Sequence, residues 1–303
     1  MLCSARVLGR IKVSTFRGVS LPPGGSLPGG GHGNLAQSDT GVEGLGCLAS
    51  EGPPAISSER PVSWAFCPIG VIESCFKEKF GIPRQAGLAR SAQAVIRLDP
   101  EDPFLKQSLR RLEEFSHLWV IYVFHEHGSR NWKPSIRPPR LGGAQKVGVL
   151  ASRSPHRPNP IGLSAVELVR IDLDDPRGAA IHVRGGDFLD GSPVLDIKPY
   201  IPYADSIPNA SAGWAAEPIE KVPVEFTALA EQKIREQGED SRPGQLREMI
   251  IEVLELDPRP AFQKRRLPPH SAEAQGLDFG FALLNFDVKW RIEKNRFLVT
   301  DLR

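Results

Sequence analysis

The segment from residue 66 to about residue 215 consists of short apolar stretches, rich in β-branched and aromatic residues, between turns rich in glycine and proline. This pattern is typical of β-strands. One helix is indicated among them, beginning at Pro103, with apolar residues at helical spacing as far as Phe115. So many strands with so little helix predict a sheet closed into a barrel, since an alternating parallel sheet needs a helix between its strands. The predicted strands are Cys67 to Ser74, Ala92 to Leu98, Leu118 to Phe124, Lys146 to Ser152, Leu163 to Leu173, Ala180 to Arg184, and Val194 to Pro199.

A change of hydrophobic period near residue 223 predicts a second folded unit. From there, apolar residues such as Phe226, Leu229 and Ile234 recur at helical spacing. The chain ends in two strand candidates, Phe281 to Ile292 and Arg296 to Leu302, joined as in a hairpin. The sequence therefore predicts a mainly β protein, in which a small β-barrel over residues 64–215 precedes a smaller α+β domain over residues 223–303.

Residues 1–60 differ from the rest of the chain because they are rich in glycine and proline and have little periodic apolar pattern. Such a stretch is expected to remain disordered. No acidic residue precedes Asp39, which is typical of a transit peptide, so we expect a chloroplast or mitochondrial location rather than a cytoplasmic one. An untargeted disordered extension is the alternative. The cations before Asp39 are Arg6, Arg10, Lys12 and Arg17.

The overall composition limits the possible binding partners and cellular compartment of the protein. The formal net charge is +2, so any affinity for nucleic acid has to come from local basic clusters. The 4 cysteines form no Cys-x-x-Cys pair and are too few for a disulfide framework, which indicates a reducing compartment. No apolar run approaches the roughly 18 to 20 residues of a membrane-spanning helix, so we expect no membrane association.

The segment from Ser152 to Gly162 is a candidate binding loop. Three of its residues are prolines, which restrict the backbone and lower the entropy lost when the loop is held in one conformation. Arg153, Arg157 and Asn159 would then be presented in fixed positions. A rigid strand connection with solvent-facing arginines is the alternative.

Four motifs follow one another along the first unit: Pro83-Arg84-Gln85, Phe115 to Leu118 with the strand ending at Phe124-His125, Ser154 to Gly162, and Asp190 to Tyr200. Together they resemble the motifs of the TsaA-like family of tRNA (adenine-37-N6)-methyltransferases. A further segment, Asp257 to Phe262, looks like the signature of the C-terminal domain that many members carry.

This resemblance implies a small β-barrel that binds S-adenosylmethionine (SAM), unlike the Rossmann fold. It also implies a homodimer with the cofactor near the subunit interface, and methylation of N6 of N6-threonylcarbamoyladenosine at position 37 in the anticodon arm of tRNA. The sequence contains no Gly-x-Gly-x-x-Gly opening a helix after a strand, in agreement with a cofactor site of another kind. A non-catalytic module that binds SAM or RNA, and a barrel methyltransferase with another acceptor, are the alternatives.

By the same resemblance, the residues that contact SAM are drawn from four parts of the chain. An arginine such as Arg153 or Arg84 suits the carboxylate of SAM, and Asp190 suits the ribose diol. The SAM-contacting residues implied are Pro83, Arg84, Gln85, Phe124, His125, Arg153, Leu163, Asp190, Gly191, Ser192 and Pro193.

Methylation of an exocyclic amine requires loss of a proton, so a hydrogen-bond acceptor near the nitrogen is expected to assist. Asp190, Asp196 and Tyr200 are the candidates for this catalytic role, although each could equally be a structural residue of a turn or strand. A metal is not expected, because His125, His127 and His156 have no further ligand at a diagnostic spacing.

The segment from Arg130 to Arg140 combines cations with a tryptophan and contains no acidic residue, a composition that suits single-stranded RNA. A solvated surface is the alternative. A second basic cluster, Lys264-Arg265-Arg266, lies in the C-terminal unit. The RNA-binding candidates are Arg130, Trp132, Lys133, Arg137, Arg140 and Arg157.

Overall fold

The computed structural model describes residues 65–127, 132–237 and 243–303. Within this part of the chain, no helix is both long and apolar enough to cross a membrane. The predicted N-terminal extension, its targeting role and Arg130 lie outside the described residues. Residues Cys67–Arg303 form one compact body with two hydrophobic cores, and we call the parts built around these cores the barrel unit and the C-terminal, or second, unit.

The first core lies inside a closed β-barrel, which confirms the predicted fold. The elements of this half are β1 (Gly70–Ser74), β2 (Gln93–Leu98), α1 (Pro103–Ser108), β3 (His117–Val123), β4 (Ser135–Ile136), β5 (Val147–Gly148), β6 (Ile161–Asp172), β7 (Ala180–Arg184), β8 (Ser192–Pro199) and α2 (Pro202–Asp205). The order around the barrel is β1-β2-β7-β6-β3-β8, and neighbouring strands are antiparallel. Because side chains alternate along a strand, Ile72, Ile96 and Val120 fill the interior.

The predicted strand from Lys146 to Ser152 is wrong. Only Val147–Gly148 is extended, and it pairs with β4 in a two-stranded ribbon outside the barrel. A 3₁₀ turn over Val149–Ala151 follows, closed by Ser152, whose backbone N–H and hydroxyl both donate to the Val149 carbonyl. Leu150 is 76% exposed, so the apolar residues of this segment do not line one face as they would in a barrel strand.

The predicted long helix from Pro103 is also shorter than its pattern indicated. Asp102 caps α1 by accepting a hydrogen bond from the Phe104 N–H, but α1 ends at Ser108. Arg111 has a φ of 71°, which a helix cannot accommodate, and a separate 3₁₀ turn follows over Leu112–Glu114.

The second unit is α+β, as predicted. Its elements are β9 (Val224–Phe226), α3 (Ala228–Glu236), α4 (Pro243–Leu254), α5 (Ala261–Arg266), β10 (Asp278–Leu283), β11 (Phe286–Glu293) and β12 (Arg296–Leu302). In the described residues its sheet has the order β10-β11-β12-β9, with β9 parallel to β12. The predicted strand from Phe281 to Ile292 is wrong, because a turn with Leu284 at a φ of 55° divides it into the hairpin of β10 and β11.

The connection between β1 and β2 belongs to the core of the second unit. Cys75, Phe76 and Ala89 from this connection are buried together with Leu254 and Trp290. Hydrogen bonds reinforce the packing: the Leu284 N–H donates to the Cys75 carbonyl at 2.7 Å. The barrel and the C-terminal unit are therefore joined by a segment that leaves the barrel and returns to it.

The Asp257-Pro258-Arg259 segment holds a buried ion pair. Arg259 is 0% exposed, and its Nε and Nη2 donate to the two carboxylate oxygens of Asp257 at 2.8 and 2.7 Å. Its Nη1 donates to the Leu267 carbonyl at 2.8 Å, and its guanidinium lies over the rings of Phe279 and Phe297. The pair thus ties the residues on both sides of α5 to the central sheet.

Replacing Arg259 with methionine is expected to lower the free energy of unfolding by about 3 kcal/mol or more, because the Asp257 carboxylate would be left buried without its partner. Urea unfolding measures this change. The control is Arg266→Met, at the exposed last residue of α5, which is expected to change the free energy of unfolding by less than about 0.5 kcal/mol. Equal stability of the two variants would contradict the proposed role of the pair.

Candidate cofactor and RNA site

The implied cofactor segments meet at one end of the barrel. The Phe124 N–H donates to the Pro160 carbonyl at 2.8 Å, which ties the end of β3 to the proline-rich loop. The Ser192 hydroxyl lies 3.4 Å from Nδ1 of His125, which ties the start of β8 to the same end of β3. Residues far apart in sequence are therefore neighbours here, as the resemblance implies.

The Pro83-Arg84-Gln85 segment reaches the same loop from the other side. Arg153 Nη1 donates to Gln85 Oε1 at 2.7 Å, and Gln85 Nε2 donates to the Arg84 carbonyl at 2.6 Å. Pro83 is buried, whereas the side chains of Arg84 and Arg153 are exposed. An exposed guanidinium positioned by a neighbouring amide is suited to binding a carboxylate.

Asp190 occupies the turn before β8 and is already bonded within the protein. Its Oδ1 accepts a hydrogen bond from the Ser74 N–H at 2.7 Å, and its Oδ2 pairs with Lys77 at 3.0 Å. Gly191 follows it with a φ of 77°, and Pro193 is in register with Val71 of β1. Each carboxylate oxygen has a second acceptor position, so these bonds leave Asp190 able to accept a ligand hydroxyl.

Asp187 is a half-buried carboxylate that the sequence analysis missed. It follows Gly185 and Gly186 at the end of β7, where a side chain at Gly186 would clash with Phe188. Its Oδ1 accepts a hydrogen bond from the Ser164 hydroxyl at 2.5 Å. Burial raises its pKa, against the hydrogen bond from Ser164 and the nearby charge of Arg153. The glycine pair after a strand was the one sequence signal for this residue.

Tyr122 borders Asp187 inside the barrel. Burial, together with the charge of Asp187, raises the pKa of the Tyr122 hydroxyl, which therefore stays protonated. Its ring packs edge-on against Phe124 and Phe188, with centroids 5.2 and 5.0 Å apart. This aromatic group connects Asp187 with the end of β3.

The other two catalytic candidates lie at different positions along β3. Asp196 is in register with Ile121, three residues before Phe124, and its carboxylate pairs with Lys198 at 2.8 Å. The Tyr200 N–H donates to the carbonyl of His117, at the start of β3. The length of β3, roughly 20 Å at about 3.3 Å per residue, separates that position from Phe124. Within one chain, Tyr200 is thus remote from the implied cofactor residues at the end of β3.

Leu163 also differs from the other implied cofactor residues. It is 54% exposed, while Gly162 and Ser164 on either side of it are buried, so its side chain lies on the outside of the barrel. Ile161, two residues earlier, is 39% exposed on the same face. The two form an apolar outer surface next to the proline-rich loop.

The histidines near the loop form a pair. The rings of His127 and His156 lie 5.0 Å apart, and burial is the main cause that lowers the pKa of each. Among the described residues, no group of three or more histidine, cysteine, aspartate or glutamate side chains is placed to hold a metal ion.

The described RNA-binding candidates lie beside the same loop. The Lys133 N–H donates to the His156 carbonyl at 3.0 Å, which anchors their segment to the loop. Lys133, Arg137 and Arg140 have exposed side chains, and Trp132 is half-buried. Arg157 Nη1 donates to the Ser152 carbonyl at 3.4 Å, so this arginine is partly used within the loop.

Comparison with known proteins identifies the family to which this chain belongs. Residues 71–206 match the tRNA-methyltransferase O N-terminal domain, and residues 219–303 match the TrmO C-terminal domain. The tRNA (adenine(37)-N6)-methyltransferase of Escherichia coli is 43% identical over 232 residues, which cover 76% of this chain and 94% of that protein. A Pseudomonas aeruginosa protein named for SAM-dependent methyl transfer is 41% identical over 224 residues, 74% of this chain and 90% of that one. A crystal structure of TrmO from P. aeruginosa superposes with a TM-score of 0.63 at 34% identity, covering 81% of this chain and 99% of that chain. The chain belongs to the tRNA-methyltransferase O family.

Proposed function

We propose that this protein transfers a methyl group from SAM to N6 of N6-threonylcarbamoyladenosine at position 37 in the anticodon arm of tRNA. The observation that carries the proposal is the meeting of the four cofactor segments at one end of the barrel, beside a segment of exposed cations. A methyl donor and an RNA base have to be brought together at one place, because alignment is a large part of the catalysis of such a displacement.

The side chains at this end fit the parts of SAM. Arg153 suits the carboxylate of the methionine part, with Gln85 holding the guanidinium. Asp190 suits the ribose diol, since Ser74 and Lys77 hold its carboxylate in place. Phe124 supplies an apolar wall for the adenine. When bound, SAM supplies an activated methyl group on a sulfonium, which is a good leaving group.

The protein's own chemical task is to take the proton that N6 loses. An acceptor functions best when its pKa lies close to the working pH. Burial raises the pKa of Asp187 toward that range, and Asp187 lies within reach of the charge of Arg153. We therefore add Asp187 to Asp190 as a candidate acceptor, whereas Tyr200 within the same chain lies near the far end of β3.

A homodimer is part of the proposal. The outer face of β6 exposes Ile161 and Leu163, and Ile121 of β3 is in register with Leu163. Contiguous exposed apolar side chains on a strand face are typical of an interface. Leu163 is implied in cofactor binding although it points away from the barrel interior, which is consistent with a cofactor site near the interface.

We also propose that the protein is located in a chloroplast or mitochondrion, because the composition of residues 1–60 is typical of a transit peptide.

Arg153→Ala is expected to raise the dissociation constant for SAM by roughly tenfold to a hundredfold, the effect of losing one charge-assisted hydrogen bond to a carboxylate. Isothermal titration calorimetry measures it. The control is Arg170→Ala, which removes an exposed arginine on β6 that pairs with Asp172. Unchanged affinity in the Arg153 variant would reject the assignment of the carboxylate site.

The activity is tested with tRNA that carries threonylcarbamoyladenosine and tRNA that lacks it. Incubation with SAM and the full chain is expected to add one methyl group to the modified nucleoside alone, as read by nucleoside mass spectrometry. Methylation of both tRNAs would indicate another acceptor, and methylation of neither, with SAM bound, would indicate a non-catalytic module.

Leu163→Glu is expected to convert the dimer to a monomer, because it places a charge in the apolar face. Light scattering after size-exclusion chromatography reports the mass. Phe104→Glu, at a side chain that is 73% exposed on α1, is the control and should leave the mass unchanged. A wild-type chain that is monomeric at every concentration would contradict the proposed assembly.

A further inference from the structure

The short helix α5 of the C-terminal unit packs directly on the basic segment of the barrel unit. Arg265 Nη1 donates to the carbonyl of Gly142. At Gly143, where φ is 67°, an added Cβ would lie 3.0 Å from Nη1 of Arg265 and 3.1 Å from the Cβ of Ala261, so a glycine favours both the backbone conformation and the close approach. The connection that carries Arg137 and Arg140 is thereby fixed against α5.

The two packed segments carry charge of one sign. Residues 137–143 and residues 261–266 contain cations and no acidic residue. Arg137, Arg140, Arg265 and Arg266 are all exposed, and among the described residues none of the four forms a salt bridge. Exposed guanidinium groups without carboxylate partners are available for phosphate.

An exposed aromatic ring accompanies these cations. Phe262, on α5, is 60% exposed, although a ring of this size is ordinarily buried. Aromatic rings beside cations are the platforms on which unpaired nucleic acid bases stack. The composition of the surface thus fits single-stranded nucleic acid better than it fits an acidic protein.

A cleft adjoins this surface and reaches Arg84, which the resemblance implies in cofactor binding. Its volume is about 370 Å³, and its walls include Pro139 of the barrel unit, Pro260 beside α5, and Arg84. Arg84 precedes Gln85, which binds Arg153 in the cofactor site. A strand that lies along α5 can therefore continue through the cleft toward the methyl donor.

We infer that α5 and residues 137–143 form one composite surface that binds the phosphate backbone of the tRNA, with Phe262 stacking an unpaired base. This inference rests on the proposed function for the identity of the RNA. It assigns a role to the C-terminal domain: the domain supplies part of the substrate-binding surface and leaves SAM binding to the barrel.

The test measures binding of a tRNA transcript to the full chain over a series of KCl concentrations. Arg265→Ala/Arg266→Ala is expected to lower the slope of log Kd against log salt by roughly 1 for each phosphate that the protein no longer neutralises, and to weaken binding by about tenfold or more. Arg266→Glu keeps the Arg265 bond to Gly142 and is expected to weaken binding without loosening the two units. Phe262→Ala is expected to weaken binding and leave the slope unchanged.

The matched control is Arg110→Ala/Arg235→Ala, which removes two exposed arginines that form no hydrogen bond with either segment in the described structure. SAM affinity is expected to be the same in all variants. Wild-type slope and affinity in both the double-alanine and the Arg266→Glu variants would overturn the inference. If the wild-type chain binds the tRNA but transfers no methyl group, the result counts against the proposed function alone. If the variants transfer the methyl group normally with an unchanged KM for tRNA, the result counts against the inference alone.

Discussion

The packing of the connection between β1 and β2 into the C-terminal core is the interaction on which the rest of the structure depends. Phe76 and Ala89 are buried near Trp290 and Leu254, and burial of a phenylalanine side chain contributes roughly 1.5 to 3 kcal/mol. Between those two anchors the chain presents Gln85 to Arg153. The cofactor end of the barrel therefore takes its shape partly from a core that lies outside the barrel.

The fold was predictable where the sequence pattern and tertiary burial agree. β7 (Ala180–Arg184) begins and ends as predicted, because its apolar residues alternate and both neighbouring strands cover it. The segment from Lys146 to Ser152 is also apolar but lies outside the barrel. Its side chains are not buried in the barrel interior, so burial does not stabilise an extended conformation there. The hairpin of β10 and β11 was missed because its turn places Leu284, rather than a glycine, at positive φ.

The candidate site was predictable only where residues form sequence motifs. The resemblance located Arg153, Gln85, Ser192 and His125, and the structure brings them together at the end of β3. It offered no means of ranking the acidic and phenolic candidates, because a strand's register decides which end of the barrel a residue reaches. Asp187 was missed because no long motif surrounds it in the sequence. Its importance comes from its burial beside Ser164, which only the structure shows.

The residues of the Asp257 to Phe262 signature hold α5 in place. The buried members of this signature, Asp257 and Arg259, bind each other, and Arg259 also donates to the Leu267 carbonyl, so the pair fixes both ends of α5. A helix this short would be marginal without such tertiary bonds. With its ends fixed, α5 keeps Phe262, Arg265 and Arg266 exposed beside the basic segment of the barrel. A buried ion pair adds little to stability compared with apolar packing. The presence of this pair is then explained by its role in orienting α5 as part of a binding surface.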